Sequence, residues 1–291
     1  MNYHITHRTL YDYAAPVSVS HHVARLEPLI TATQSREDFS LQIFPEPSLR
    51  RERTDYFGNR LCFFAIQEIH TKLEIITHSR VAVQPKKTAP RESAATWESV
   101  AEMFRDPVLP EVVEPYQFVF DSPQIRASRE FYDYTRESFC DGTPLIVGAR
   151  DLTERIFNDF KFDSKATTVA TPLEEVWEKR RGVCQDFAHL GIACLRSLGL
   201  PARYVSGYLR TRPPEGKARL VGVDASHAWF SIFSPGEGWI DFDPTNNVQT
   251  AEDHITVAHG RDFGDVSPVA GILTGGGRHA VKVSVDVEPL D

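Results

Sequence analysis

Between Gly182 and Gly199 the chain carries a segment that has to lie inside a protein. From Cys184 to Leu198 the spacing is helical, and Phe187, Ala188, Leu190, Gly191, Ile192, Cys194, Leu195 and Leu198 wrap most of the surface. A helix that is apolar on most sides is a buried one. Only a narrow polar stripe remains, at Gln185, His189 and Arg196, and Gly199 followed by Pro201 stops the run. Such a helix needs cover on several sides. A chain of 291 residues, with 41% hydrophobic and 25% charged residues, is long enough and ordinary enough in composition to build it, as one large domain or two smaller ones.

The flanking sequence predicts α+β architecture with a β-rich N-terminal region. Tyr3, Ile5, His7, Thr9, Tyr11 and Tyr13 occupy alternate positions, and Leu61 to Ile66 and Leu73 to Ile76 add apolar, β-branched runs. Tyr56-Phe57-Gly58-Asn59 supplies a turn between them. The polar stretch from Gln84 to Thr96 reads as a linker, so the expected organisation is a β-rich unit at 1–83, a linker and helical connection at 84–121, and a catalytic core at 122–291. Ser122-Pro123, Thr143-Pro144 and Thr171-Pro172 are helix-start signals. Strands are expected at Ala202 to Leu209, Ala228 to Phe233, Trp239 to Phe242 and His279 to Val287, with Val281, Val283, Val285 and Val287 facing one way in the last.

Charge and cysteine usage exclude several classes. A net charge of −8 and a pI near 5.8 disfavour nucleic-acid backbones and anionic membrane surfaces as partners. No apolar run is long enough to cross a bilayer, and the N-terminus alternates like a strand instead of forming a signal core. Cys62, Cys140, Cys184 and Cys194 form no C-x-x-C pair. Reduced thiols in a cytoplasm are therefore expected, where thiol catalysis is chemically feasible.

Cys184 falls at the first turn of the buried helix. Free N–H groups and the positive dipole end there favour a thiolate, and the same N–H groups could serve as an oxyanion hole. The competing reading is a small apolar core cysteine, which suits mid-helix Cys194 better. Ser226 to Phe233 and Trp239 to Asp243 read as a hairpin around Ser234-Pro235-Gly236-Glu237-Gly238. If its register centres near Pro235 or Gly236, His227 and Asp243 share a face, directly opposite or one diagonal step apart. Asp241 shares that face but lies nearer the turn. A carboxylate on one imidazole nitrogen fixes the tautomer and leaves the other nitrogen to take the thiol proton. Alone, His227 would be an ordinary strand histidine and Asp243 a turn-capping residue; their combination with Cys184 points to catalysis.

Gly182-Val183-Cys184-Gln185-Asp186-Phe187-Ala188-His189, Pro201 to Tyr208, Ser226-His227-Ala228-Trp229 and Gly238-Trp239-(x3)-Asp243-Pro244-Thr245-Asn246 together resemble the core of the transglutaminase-like superfamily. The closing His254 to Val266 and the early Asp55-Tyr56-Phe57-Gly58-Asn59 are similar to segments of the bacterial transglutaminase-like proteins that include candidate cysteine proteases. The resemblance covers most of the chain and is weakest at Lys86 to Phe120. It implies a papain-like arrangement, a thiol-bearing helix on an antiparallel sheet, with Cys184 as nucleophile, His227 as base and then acid, and Asp243 as the orienting carboxylate. It also implies acyl transfer from peptide or side-chain amides. No upstream residue matches the side-chain oxyanion donor of crosslinking transglutaminases; Trp177 lies too close to Cys184 and reads as a packing residue.

Hydrolysis is the favoured outcome, because water is abundant and no amine-acceptor site can be identified. The alternatives are a crosslinking or deamidating transglutaminase, and a non-catalytic binding protein that keeps the fold. His189 could line the site but reads more simply as a solvated or capping residue. His254 and His259 lack a carboxylate or thiol at ligand spacing, so no metal is expected, and no phosphate or dinucleotide motif implies a cofactor. Arg261-Asp262 reads as an ion pair, and the loop from Thr211 to Gly222 as a possible border of the substrate groove. The expected partner is a peptide or protein amide substrate, with neither nucleic acid nor membrane.

Overall fold

A computed structural model describes residues 1–84, 95–106, 110–211 and 225–290. Most of the expected linker at 84–96 and of the 211–222 loop lies outside the described residues. In chain order the first elements are β1 (Asn2–Ala24), β2 (Gln34–Phe44), β3 (Leu49–Thr54), β4 (Arg60–Ile66) and β5 (His70–Val83). The helical part follows with α1 (Trp97–Met103), α2 (Pro110–Tyr116), a 3-10 turn at Gln117–Val119, α3 (Arg129–Ser138) and α4 (Leu145–Asp159). Next come β6 (Lys161–Phe162), α5 (Leu173–Lys179), β7 (Arg181–Gly182) and α6 (Cys184–Ser197). The chain closes with β8 (Ala202–Leu209), β9 (Ala225–Ser234), β10 (Gly238–Asp243), β11 (Val248–Gln249), β12 (His254–Gly260), α7 (Phe263–Val266), β13 (Val269–Gly275) and β14 (His279–Pro289).

Two antiparallel sheets dominate this α+β arrangement. The first has the order β2-β5-β1-β4-β3, with β13 and β14 also pairing with β1. The second runs β11-β10-β9-β8-β12. Helix α6 packs against β8 and β9 of the second sheet and is covered from the other side by α3, α4 and α5. The alternation at the start of the chain faces this core: Tyr3, Ile5, His7 and Thr9 are all buried on β1. A separate apolar cluster built on Tyr13, Val17, Leu41, Phe64 and Leu73 fills the far half of the first sheet.

The strand pairing departs from the expected unit at 122–291. β13 and β14 return to the first sheet, β14 pairing with β1 from Tyr3↔Pro289 to Tyr13↔His279. Only Val285 and Val287 of the four alternating valines are buried, where β14 meets the second sheet; Val281 and Val283 are exposed. A further difference concerns α3. It begins at Arg129, where the Ser128 hydroxyl accepts the Phe131 N–H, and not at Ser122-Pro123, which forms a turn closed by Ser122–Ile125 backbone bonds. The other two Thr-Pro signals stand directly before α4 and α5.

Side-chain amides join the sheets. β12 is an edge strand, and its outward backbone groups need partners. Gln34 supplies them at Thr256, accepting its N–H and donating to its carbonyl, both at 2.8 Å. Asn59 does the same at His259, with 2.9 Å to the N–H and 2.8 Å to the carbonyl. The Asp55 to Asn59 turn makes this possible. Gly58 takes the positive φ, while the Asp55 carboxylate accepts the N–H groups of Phe57 and Asn59 and aims the Asn59 amide at β12.

Candidate active site

The site is assembled where α6 starts against the middle of the second sheet. Helix α6 is buried along nearly its whole length, as its apolar surface requires, and Cys184 at its first residue is half-exposed. The Asp186 carboxylate secures this start: it accepts the Val183 N–H at 2.8 Å and the Thr167 hydroxyl at 2.6 Å. Gly182 precedes it because a Cβ there would press into Asp186.

The hairpin register places the imidazole and the carboxylate. Gly238↔Ser234, Ile240↔Ile232 and Phe242↔Phe230 are partners, so continuing the pairing sets Asp243 opposite Trp229 and His227 one diagonal step away. The two side chains meet: His227 Nε2 lies 2.7 Å from Asp243 Oδ2, and both groups are buried. Asp241, on the same face, is taken up by the Ser231 hydroxyl. With Nε2 engaged by Asp243, the other edge of the His227 ring is the one available to Cys184, whose thiol interacts with it.

Electrostatics follow from this geometry. Burial opposes charge on His227, but the hydrogen bond it donates to Asp243 and then the interaction with Cys184 outweigh it and raise the imidazole pKa to about 10. Burial likewise opposes charge on Asp243, yet hydrogen bonds from His227, His254 and Asn246 hold its carboxyl well below the usual range. The carboxylate is a hub. Oδ2 accepts from His227, from His254 Nε2 at 3.1 Å and from Asn246 Nδ2 at 2.7 Å; Oδ1 accepts the Thr245 and Asn246 N–H groups at 2.9 and 3.3 Å.

His254 was not among the expected site residues, because its nearest carboxylate in the fold lies on another strand. Its meeting with Asp243 removes the ground on which a metal was set aside: the ligand atoms of His227, Asp243 and His254 all lie within 4.8 Å of one another. Hydrogen bonding nevertheless accounts for this cluster. Both imidazoles sit at hydrogen-bond length from one oxygen, and the Asn246 amide donates into the same point, 3.3 Å from His227 Nε2, where a cation would meet a donor.

The remaining sequence candidates find other places. His189 is buried and not solvated: its Nε2 accepts the Phe263 N–H at the start of α7, and burial pushes its pKa down to about 4. Arg196 on the same stripe is also buried, donating to the carbonyls of Phe118, Ala202 and Arg261. Arg261 pairs with Asp265, not with Asp262, which instead caps Gly264 and accepts the Gln124 N–H. Trp177 packs edge-on against Phe131 and Tyr134, with the Arg180 guanidinium 3.8 Å from its ring centre. A cleft of about 320 Å³ opens between Gln124, Arg126, Thr171, Glu174, Gln185 and His189.

Comparison with known proteins agrees with this architecture. Residues 3–82 match the bacterial transglutaminase-like N-terminal region, and residues 129–244 match the transglutaminase-like superfamily. The chain belongs to the transglutaminase-like superfamily. An uncharacterised Mycobacterium tuberculosis protein is 38% identical over 297 residues, spanning 99% of this chain and 93% of its own length. The crystal structure of a candidate cysteine protease from Cytophaga hutchinsonii superposes with a TM-score of 0.78 at 25% identity, covering 100% of this chain and 91% of its own. A protein-glutamine gamma-glutamyltransferase of Pseudomonas aeruginosa is 36% identical over 126 residues, 42% of this chain and 18% of its length. Among the described residues no helix is long and apolar enough to cross a membrane.

Proposed function

We propose that the protein is a cysteine-nucleophile acyl-transfer enzyme that hydrolyses peptide or side-chain amides, with Cys184, His227 and Asp243 as its catalytic residues. The observation that carries this reading is the His227 ring held between the Cys184 thiol and the Asp243 carboxylate, with its pKa raised to about 10. Around neutral pH such an imidazole is protonated, the form that can hand a proton to the leaving amine, with the Cys184 sulfur beside it as the nucleophile.

In the proposed reaction the Cys184 sulfur bonds to the amide carbonyl carbon, whose π electrons move to oxygen. The backbone N–H groups at the start of α6, which lack partners within the helix, receive that oxyanion. The oxyanion re-forms the carbonyl as the C–N bond breaks, and the amine leaves with the proton from His227. Water then attacks the thioester while His227 removes its proton; the acid departs and the imidazolium–thiolate pair is restored. Asp243 keeps Nε2 protonated throughout and so dictates which edge of the ring exchanges protons with substrate. The cleft beside Gln185 and His189 would take the substrate chain. A reducing cytoplasm, which keeps the four unpaired cysteines as thiols, is the compartment we assign.

A second reading, transfer to an amine in place of water, draws support from the partial similarity to the Pseudomonas glutamyltransferase. Measuring ammonia or amine release from casein-derived peptides with and without an added primary amine separates the two; hydrolysis predicts new carboxylates and no incorporated amine. The alternative of a binding protein without activity is tested by iodoacetamide. Cys184-selective labelling at about pH 6, where a free thiol of pKa about 8.5 is almost wholly protonated, is expected to exceed the free-cysteine rate at least about tenfold. Labelling no faster than free cysteine would sink the enzymatic reading.

A further inference from the structure

His254 stands outside the three-residue chemistry, yet it shares the same carboxylate oxygen as His227. We propose that His254 is a positioning residue of this site, its ring fixed by Asp243 on one nitrogen and by one or two buried water molecules on the other. The proposal rests on the acyl-transfer reading of Cys184, His227 and Asp243.

The first argument is topological. In the second sheet β12 stands three places from β10, so only the curl of the sheet brings His254 to Asp243. The Thr245 and Asn246 bonds to Asp243 come from the turn that the carboxylate itself belongs to, and His227 comes from the adjoining strand. Those partners move with the hairpin. Among the described residues, His254 is the donor that ties the carboxylate to a separate part of the sheet, and it is anchored itself, its N–H bonded to the Ala251 carbonyl at 3.1 Å.

The second argument concerns the back of the ring. His254 stands edge-on to Trp229, 5.2 Å between centroids at 86°, and Trp229 is wholly buried. Room for that indole exists because residue 207 is glycine: a Cβ there would overlap the Trp229 ring and the Ile255 carbonyl. Both residues line a cavity of about 60 Å³ between the two sheets, together with Gln34, Asp241 and Thr250. Among the described residues neither His254 Nδ1 nor Trp229 Nε1 has a protein partner, although both atoms are buried. Such groups are normally satisfied. A water claims roughly 30 Å³ and needs two to four polar partners, so this cavity suits one or two. In the tautomer whose Nε2–H donates to Asp243, Nδ1 of His254 carries the lone pair and is an acceptor. One water can therefore accept from the Trp229 indole and donate to His254, locking the tautomer that Asp243 requires.

The test uses the full chain and compares two amides of different reach. The side-chain nitrogen of His254→Gln approximates the position of Nε2, whereas that of His254→Asn stops about one bond short. His254→Leu supplies no donor. Rates of Cys184 alkylation by iodoacetamide at about pH 6 are read beside the nitrogen-15 signals of the His227 ring and the melting temperature. His254→Gln should label within about threefold of the unmodified protein, while His254→Asn and His254→Leu should slow by about tenfold, the equivalent of one hydrogen bond. The His227 Nε2–H signal should survive in the Gln variant and broaden or shift in the Asn variant. Equal rates for Gln and Asn, or a folded Leu variant that labels at the native rate, would overturn the assignment. Native protein labelling no faster than free cysteine would instead bring down the acyl-transfer reading beneath it, and this one too.

Discussion

Replacing Asp243 by asparagine tests the hub directly. The substitution keeps size and shape but leaves one oxygen where five donors now converge on two. If the remaining oxygen faces the side chains, the Thr245 and Asn246 N–H groups meet an NH2 group; if it faces the turn, His227, His254 and Asn246 do. Either way at least two buried donors lose their acceptor, at about 1–3 kcal/mol each. The charge is lost as well. His227 is raised from 6.5 to about 10, a net gain on the order of 5 kcal/mol that remains after burial has opposed it and that Asp243 and Cys184 together supply. Attributing about half to the carboxylate predicts an imidazolium weakened by about 2 kcal/mol, so His227 gives up its proton at lower pH and the alkylation profile of Cys184 departs from the native one most between about pH 7 and 9. The assay is the second-order iodoacetamide rate from about pH 4 to 9, with the site of labelling confirmed by peptide mass. A folded Asp243→Asn protein with the native rate across that range would show that the carboxylate does not hold the imidazole, and the argument from its hydrogen bonds would fail.

Two further outcomes follow from the same physics. Asn59→Ala strips a buried side chain from both backbone groups of His259, and should lower stability by about 2–4 kcal/mol while leaving α6 intact; calorimetry showing an unchanged melting temperature would contradict the amide tie between the sheets. Stability should also peak near neutral pH. Burial pushes His7, His22 and His189 down to about 4, so between 6.5 and 4 the unfolded chain binds more protons, and lowering the pH should remove on the order of 2 kcal/mol per histidine. His227 acts with the opposite sign: its contribution is complete below about 6.5 and is lost as the pH rises toward 10. Melting curves at about pH 5, 7 and 9.5 check this, and a flat profile would refute it.

Local pattern made much of this protein legible. An apolar surface on most sides of Cys184 to Leu198 demands burial whatever surrounds it, and period-two alternation makes His227 and Asp243 share a face once the turn at Gly236 fixes the register. These are properties of neighbouring residues, so sequence carries them. Tertiary structure alone decided where the polar stripe of α6 points, since Arg196 could be buried only after the Phe118 and Arg261 carbonyls, from two distant segments, joined that of nearby Ala202 around it. It decided that β14 joins the first sheet by pairing with β1, leaving Val285 and Val287 to pack toward the second. It also brought His254 to Asp243 by curling the second sheet until strands distant in its order face one another. Spacing along the chain records periodicity within an element; it holds no record of how far a sheet bends, and that bend sets the second histidine on the carboxylate.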